Sequence, residues 1–206
     1  AYDDLTGITR GDGQTYGMTY DPYRNLTGVS VGGNPLVTYG YRSGSGRLKS
    51  MTYANGARQE LTYDSFGNVK GEKWTKGNTI EAHYRYFYNA SNQLTKTLDI
   101  LNKKVYNINR VGENVVSVEE YDAASVSATT FAATDLTHVG TMHYSFDSDG
   151  KQFRKKYVAA DGTEQKYVFE FRDEQNVAVQ LPTGAVSHAK TDHLGRKVFD
   201  EIQLRT

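Results

Sequence analysis

The chain has 206 residues, with 24 Lys and Arg against 24 Asp and Glu, no net charge and a pI near 7.2, so it lacks the basic footprint of a nucleic-acid or anionic-membrane binder. Its 20 Gly, 3 Pro and 37% hydrophobic residues describe a globular chain, neither collagenous nor disordered. With no cysteine there is no disulfide framework, thiol nucleophile or Cys-ligated zinc, and the sequence carries neither a membrane-length apolar run nor a basic-then-apolar leader.

A dipeptide recurs along the chain, as Tyr2-Asp3, Tyr20-Asp21, Tyr63-Asp64 and Tyr121-Asp122, with degenerate copies at Tyr39-Gly40, Tyr88-Asn89, Phe146-Asp147 and Phe171-Arg172. Each is followed by a polar stretch, often with Gly, Asn or Ser, and then by an apolar residue. The clearest copies run from Met18 to Leu26, from Leu61 through Gly67-Asn68-Val69, and from Tyr144 to Gly150. Tyr2, Tyr20, Tyr41, Tyr63, Tyr88, Tyr121, Phe146 and Phe171 are read as the structural anchors of these units. The first five stand 18, 21, 22 and 25 residues apart. A unit this short cannot bury a core alone and must share one with its neighbours, so the array spans residues 1–206 as one object.

Between the anchors the pattern is strand and turn. Period-two alternation marks Met51-Thr52-Tyr53, Gln59 to Tyr63, and Lys166 to Phe171, where Tyr167, Phe169 and Phe171 share one face. Asp12-Gly13, Asn55-Gly56, Asp149-Gly150 and Asp161-Gly162 are hairpin-turn dipeptides. Gly13, Gly56, Gly67, Gly150, Gly162 and Gly195 are therefore expected at turns. The aromatic texture lapses over Ala123 to Thr137, rich in Ala, Ser and Thr, and 123–139 is read as an irregular loop, with a turn of helix as an option at Ala132 to Leu136. It separates an N-terminal set of repeats (1–122) from a C-terminal one (140–206). The fold class is all-β, antiparallel hairpins forming one curved or spiralling sheet. Sixteen Tyr against eight Phe suits a thin sheet, because a Tyr ring can lie on a half-buried surface with its hydroxyl wet.

Candidate chemistry is thin. None of the spacings of His83, His138, His143, His188 and His193 announces a metal site, and His188 and His193 are expected on opposite strand faces. Ser187, His188 and Asp192 lie close in sequence without a strained nucleophile turn. Asp147-Ser148-Asp149-Gly150 resembles the first half of a calcium loop, but Val158 falls where the distal Glu belongs. Gly44-Ser45-Gly46 is too short for a phosphate cradle, Arg10-Gly11-Asp12 reads as turn chemistry, and Arg154-Lys155-Lys156 as a solvated strand face. Asn25-Leu26-Thr27 and Asn89-Ala90-Ser91 are acceptor sequons only in a eukaryotic secretory host. No catalytic residue, metal or cofactor is assigned.

Tyr-Asp followed by a Gly or Asn turn and an apolar strand resembles the YD repeat of bacterial rearrangement-hotspot (RHS) and wall-associated proteins, shared with insecticidal toxin-complex subunits and teneurins. The resemblance runs from Tyr2 to about Asp200, and Lys190 to Asp200 is similar to the family's Asp-x-Leu-Gly units, with Thr191 in place of tyrosine. It implies a spiralling antiparallel sheet that in full-length members winds into a shell around a toxic C-terminal polypeptide. The family's self-cleaving Asp-Pro-x-Gly core is absent, since Asp21-Pro22 is followed by Tyr23-Arg24. The chain opens inside a repeat and stops at Thr206 within the pattern, and is read as a fragment of a longer protein.

The expected function is that of a non-enzymatic structural module of a large secreted or surface-displayed bacterial protein, scaffolding or encapsulating a C-terminal toxin or effector. Its partners are flanking repeats and the C-terminal segment of the parent, with no nucleic acid and no membrane span. The alternative is an adhesion module whose exposed aromatic face binds surface glycans or a partner protein.

Overall fold

Chain reversals, not helices, organise the computed structural model, which describes residues 4–172, 175–191 and 197–203 and gives side-chain detail for 4–169 and 178–187. The anchor Tyr2 and the turn residue Gly195 lie outside the described residues, and the same holds for the side chains of Phe171, His188 and His193. Gly13, Gly56, Gly67, Gly150 and Gly162 have positive φ and sit at the reversals. Asn and Asp beside these glycines cap the same turns. Asn55 Oδ1 accepts from the Ala57 amide at 3.0 Å, and Asp161 Oδ1 from the Thr163 amide at 2.9 Å.

The described residues form β-strands joined by tight turns, in two compact units. The first, 1–103 with 127–131, holds β1 (Gly7–Thr9), β2 (Thr15–Tyr20), β3 (Leu26–Val31), β4 (Asn34–Tyr41), β5 (Leu48–Tyr53), β6 (Ala57–Tyr63), β7 (Val69–Lys76), β8 (Thr79–Tyr88) and β9 (Leu94–Asp99). Each pairs antiparallel with the next. The second, 104–126 with 132–206, repeats the arrangement in β10 (Lys104–Val111), β11 (Asn114–Val126), β12 (Ala133–Phe146), β13 (Gln152–Ala159), β14 (Glu164–Arg172), β15 (Gln175–Gln180), β16 (Val186–Thr191) and β17 (Lys197–Gln203). The all-β class of successive antiparallel hairpins is the one expected from the sequence.

The expected loop over 123–139 is corrected. β11 runs to Val126 and β12 begins at Ala133, in register at Ala123–Leu136, Ser125–Thr134 and Val126–Ala133, which leaves only 127–132 outside a strand and no helical turn at Ala132 to Leu136. Thr and Val in this stretch are β-branched and suit a pleated surface even without aromatic neighbours. Ser125 Oγ lies 3.0 Å from Thr134 Oγ1 across the strands. The tip closes when Ser127 Oγ accepts the amide of Thr130 at 3.0 Å. The division into two compact units falls between Lys103 and Lys104, and of this segment only the tip, 127–131, is counted with the first unit.

Among the described residues, the strands of the first unit do not show the burial pattern of a sheet covered on one face. If one face were buried and the other wet, burial would alternate along each strand. Instead all six residues of β3 and seven of the eight in β7 are half-buried. Among the described residues only Leu98 and Val105 have large side chains that are fully buried. Stability therefore comes from cross-strand pairs and from the turns rather than from a sandwich core.

Candidate functional site

The Tyr-Asp copies build one repeated corner. Tyr20, Tyr63 and Tyr88 end β2, β6 and β8, and each is followed by an Asp or Asn and then by a three-residue loop whose last member has positive φ: Arg24 at 68°, Gly67 at 96° and Asn92 at 59°. A type I turn closed by such a residue is a standard three-residue hairpin, and Pro22 occupies the position where its fixed φ fits. The acidic or amide residue after the Tyr caps the loop. Asp64 Oδ1 accepts from the amides of Phe66, Gly67 and Asn68 at 2.9, 2.8 and 2.9 Å. Asp21 does the same for Tyr23 and Asn25, and Asn89 for Ser91 and Gln93. Burial works against the Asp64 charge, but the hydrogen bonds from Asn68, Gly67 and Phe66 outweigh it and hold the carboxyl below its ordinary range.

Asp147 closes the corner after Phe146 in the second unit. Its Oδ1 accepts the amides of Asp149 and Lys151 at 3.0 and 2.8 Å. That is the work of a turn cap, and among the described residues no group of three His, Asp or Glu side chains is placed to hold a metal.

The tyrosine hydroxyls tie each corner to the one before. Tyr20 donates to the Leu5 carbonyl at 2.9 Å, Tyr41 to Leu26 at 2.7 Å, Tyr63 to Leu48 at 2.8 Å and Tyr88 to Val69 at 2.8 Å. Leu26, Leu48 and Val69 are in turn the register partners of Tyr20, Tyr41 and Tyr63. Tyr41, Tyr63 and Tyr88 therefore each hold the first residue of the strand that leaves the preceding corner. The register shifts just before every one of these anchors, at Thr19/Tyr20, Gly40/Tyr41, Thr62/Tyr63 and Phe87/Tyr88. A bulge at that point bends the outgoing strand and re-aims its side chains.

Gly67 shows why glycine is used in one copy. Its φ is positive, and a Cβ there would meet the guanidinium of Arg47 at 2.1 Å. Arg47 itself lies over the Tyr63 ring, 5.7 Å from its centroid.

Tyr121 is the anchor that the structure places elsewhere. It sits in mid-strand opposite His138, with its ring 5.3 Å from that imidazole, and donates to Glu119 Oε2 at 2.9 Å. Ser125 stands at the fourth position after it, where the true corners have Arg24, Gly67 or Asn92, and Asp122 serves an ion pair with Lys104 at 3.0 Å instead of a cap.

The two faces of β6, β7 and β8 carry different chemistry. On one, Glu72 accepts from Gln59 Nε2 at 2.7 Å, Trp74 Nε1 at 2.6 Å and the Tyr86 hydroxyl at 2.9 Å. Burial raises the Glu72 pKa, but these three donors outweigh it and keep the carboxyl below its ordinary value. Tyr53 stacks on Trp74 with ring centroids 6.1 Å apart. On the other face, Glu60, Lys73 and His83 stand in register, as do Thr62, Gly71 and Arg85. They line a groove of about 270 Å³ whose wall includes Phe131, from the 127–131 tip counted with this unit. Burial, and then the Lys73 charge, push the His83 pKa down.

No protein-family model matches the chain, and no curated protein matches it. Among solved structures it is similar to the Tc holotoxin pore of Photorhabdus luminescens carrying a TccC3 mutation, at 13% identity and a TM-score of 0.63, over 98% of this chain and 12% of that one. The likeness is one of fold. The chain is also similar to TcdB2-TccC3 in its crystal structure, at 12% identity and a TM-score of 0.63, over 94% of this chain and 12% of the other. It therefore spans 12% of the length of the solved chains it matches.

Proposed function

We propose that this chain is a non-enzymatic wall segment of an RHS-type protein, a stretch of single-layer sheet that scaffolds or encloses a polypeptide of its own parent. The observation that carries the reading is the hydroxyl-to-carbonyl link from Tyr20, Tyr41, Tyr63 and Tyr88 to the preceding corner. It makes each hairpin the support of the next, so the unit extends by addition and needs no compact core. The fold shared with toxin-complex structures agrees with this reading, and so does the YD-repeat pattern in the sequence. Work outside the cell, as part of a secreted or surface-displayed bacterial protein, belongs to the same proposal.

Limited proteolysis of the parent protein tests it. The polypeptide downstream of the repeats should resist protease in the native protein and become sensitive when Tyr41, Tyr63 and Tyr88 are all replaced by Ala. Equal sensitivity in the two proteins would contradict an enclosing role.

A second reading rests on Tyr23 and Phe66, which occupy the same position in successive Tyr-Asp corners and are 86% and 78% exposed. Aromatic rings held outward at a repeat spacing suit sugar stacking or capture of a partner protein. Saturable binding of the 206-residue chain to one class on a glycan panel, lost in the Tyr23→Ala, Phe66→Ala double variant, would favour adhesion over enclosure.

A further inference from the structure

The groove on β6, β7 and β8 holds cations that no carboxylate answers. Of the two acids in its lining, Glu60 is paired with Arg58 at 3.1 Å, and Glu72 is engaged by Gln59, Trp74 and Tyr86. Lys73 and Arg85 have neither an ion pair nor a side-chain hydrogen bond among the described residues. Arg85 is nevertheless held in place. Its guanidinium carbon lies 4.5 Å from the centroid of Phe131 and 5.6 Å from that of Phe87, and its Nε is buried without an acceptor. Lys96, opposite Phe87 in register, lies over the same ring at 4.5 Å.

An arginine fixed over aromatic rings keeps the in-plane edge of its guanidinium free, the edge that matches a planar carboxylate with two parallel hydrogen bonds. Ordering the side chain in advance removes part of the entropy cost of binding. Gly71 keeps the floor open, because a Cβ there would meet Thr62 Oγ1 at 2.7 Å and fill the space between Thr62 and Arg85. The groove is too small for a folded partner and suits one or two side chains of an extended one.

We propose that this groove binds acidic side chains of an extended polypeptide, Arg85 receiving a carboxylate beside the Phe87 and Phe131 rings and Lys73 adding the flanking positive charge. The site is built from this chain's own residues and stands whether or not the chain forms part of an enclosing wall.

The test is fluorescence anisotropy of the 206-residue chain with a labelled deca-glutamate peptide at low salt, with a deca-glutamine peptide as control and inorganic phosphate as competitor. The glutamate peptide should bind, weaken with added salt, and lose about tenfold or more in affinity to Arg85→Gln, while the deca-glutamine peptide does not bind. Lys73→Gln, a half-exposed change read in the same way, should also weaken binding and decides the matter if Arg85→Gln does not fold. Lys103→Gln, outside the groove, should leave it unchanged. Undiminished binding to a folded Arg85→Gln or to Lys73→Gln would overturn the proposal. Equal binding of both peptides, or displacement of the glutamate peptide by millimolar phosphate, would overturn it as well.

Discussion

Tyr63 donates its hydroxyl to the carbonyl oxygen of Leu48 at 2.8 Å, and Leu48 is the register partner of Tyr41, the preceding anchor. The bond closes the open end of the β5–β6 hairpin and so ties the corner after Tyr63 to the corner after Tyr41. Removing the hydroxyl alone, in Tyr63→Phe, should cost about 0.5–1.5 kcal/mol, the net worth of one hydrogen bond. Tyr63→Ala also loses the ring, which is half-buried on a single sheet, and should cost about 2 kcal/mol, short of the roughly 3–5 kcal/mol of a ring buried between layers. Urea denaturation midpoints of the two variants check both numbers.

Acid should loosen the Tyr-Asp corners. The pKa values of Asp21 and Asp64 lie below their ordinary value in the folded chain. A depressed carboxylate contributes stability that is present above its unfolded pKa, about 3.9, and is lost as the pH falls through the folded value. Asn89 makes the equivalent cap without a charge. Asp64→Asn should therefore keep most of the stability at neutral pH and reduce the loss in acid, read as melting temperature against pH.

Alkali should act through the phenols. Burial, and then the charges of Asp21 and Asp64 respectively, raise the pKa values of Tyr41 and Tyr88, while burial followed by the hydrogen bond to Glu72 raises that of Tyr86. A raised phenol contributes stability in full below its unfolded pKa, about 10, and loses it as the pH rises through the folded value. Stability should fall above about pH 10, and the Tyr41→Phe, Tyr88→Phe double variant should fall less steeply over that window.

Glu72 should be the most sensitive polar position in the first unit. Gln in its place keeps one acceptor oxygen but turns an NH2 toward a donor, so Glu72→Gln should cost about 1–3 kcal/mol. Trp74 is the chain's single tryptophan and donates to this carboxylate, so its fluorescence emission should shift in the same variant. An unchanged emission with unchanged stability would mean that the hub is not formed.

The strand-and-turn texture was legible because Asx-Gly pairs and alternating aromatics report local backbone preference. The corners at Tyr20, Tyr63 and Tyr88 were legible for the same reason. Their linkage was not, since the acceptors of the tyrosine hydroxyls are main-chain carbonyls, which any sequence supplies. The bulge before each anchor also leaves no residue signature. Tyr121 misled because Tyr-Asp alone does not make the corner: a residue able to take positive φ four positions on is also needed, and Ser125 stands there in a strand. The Ala, Ser and Thr of 123–139 looked like a lapse of pattern, yet their β-branched members pair across β11 and β12 as readily as the aromatics do elsewhere. The groove brings Arg85 and Phe131 together from distant parts of the sequence, a juxtaposition only the fold reveals.

Amide hydrogen exchange on Tyr63→Phe tests most directly whether the hairpins support one another through the tyrosine hydroxyls. Loss of the bond to Leu48 should speed exchange in the preceding hairpin, Asn34–Tyr41 and Leu48–Tyr53, as well as around Tyr63 itself. Acceleration confined to Ala57–Tyr63 and Val69–Lys76, with the preceding hairpin unchanged, would contradict it.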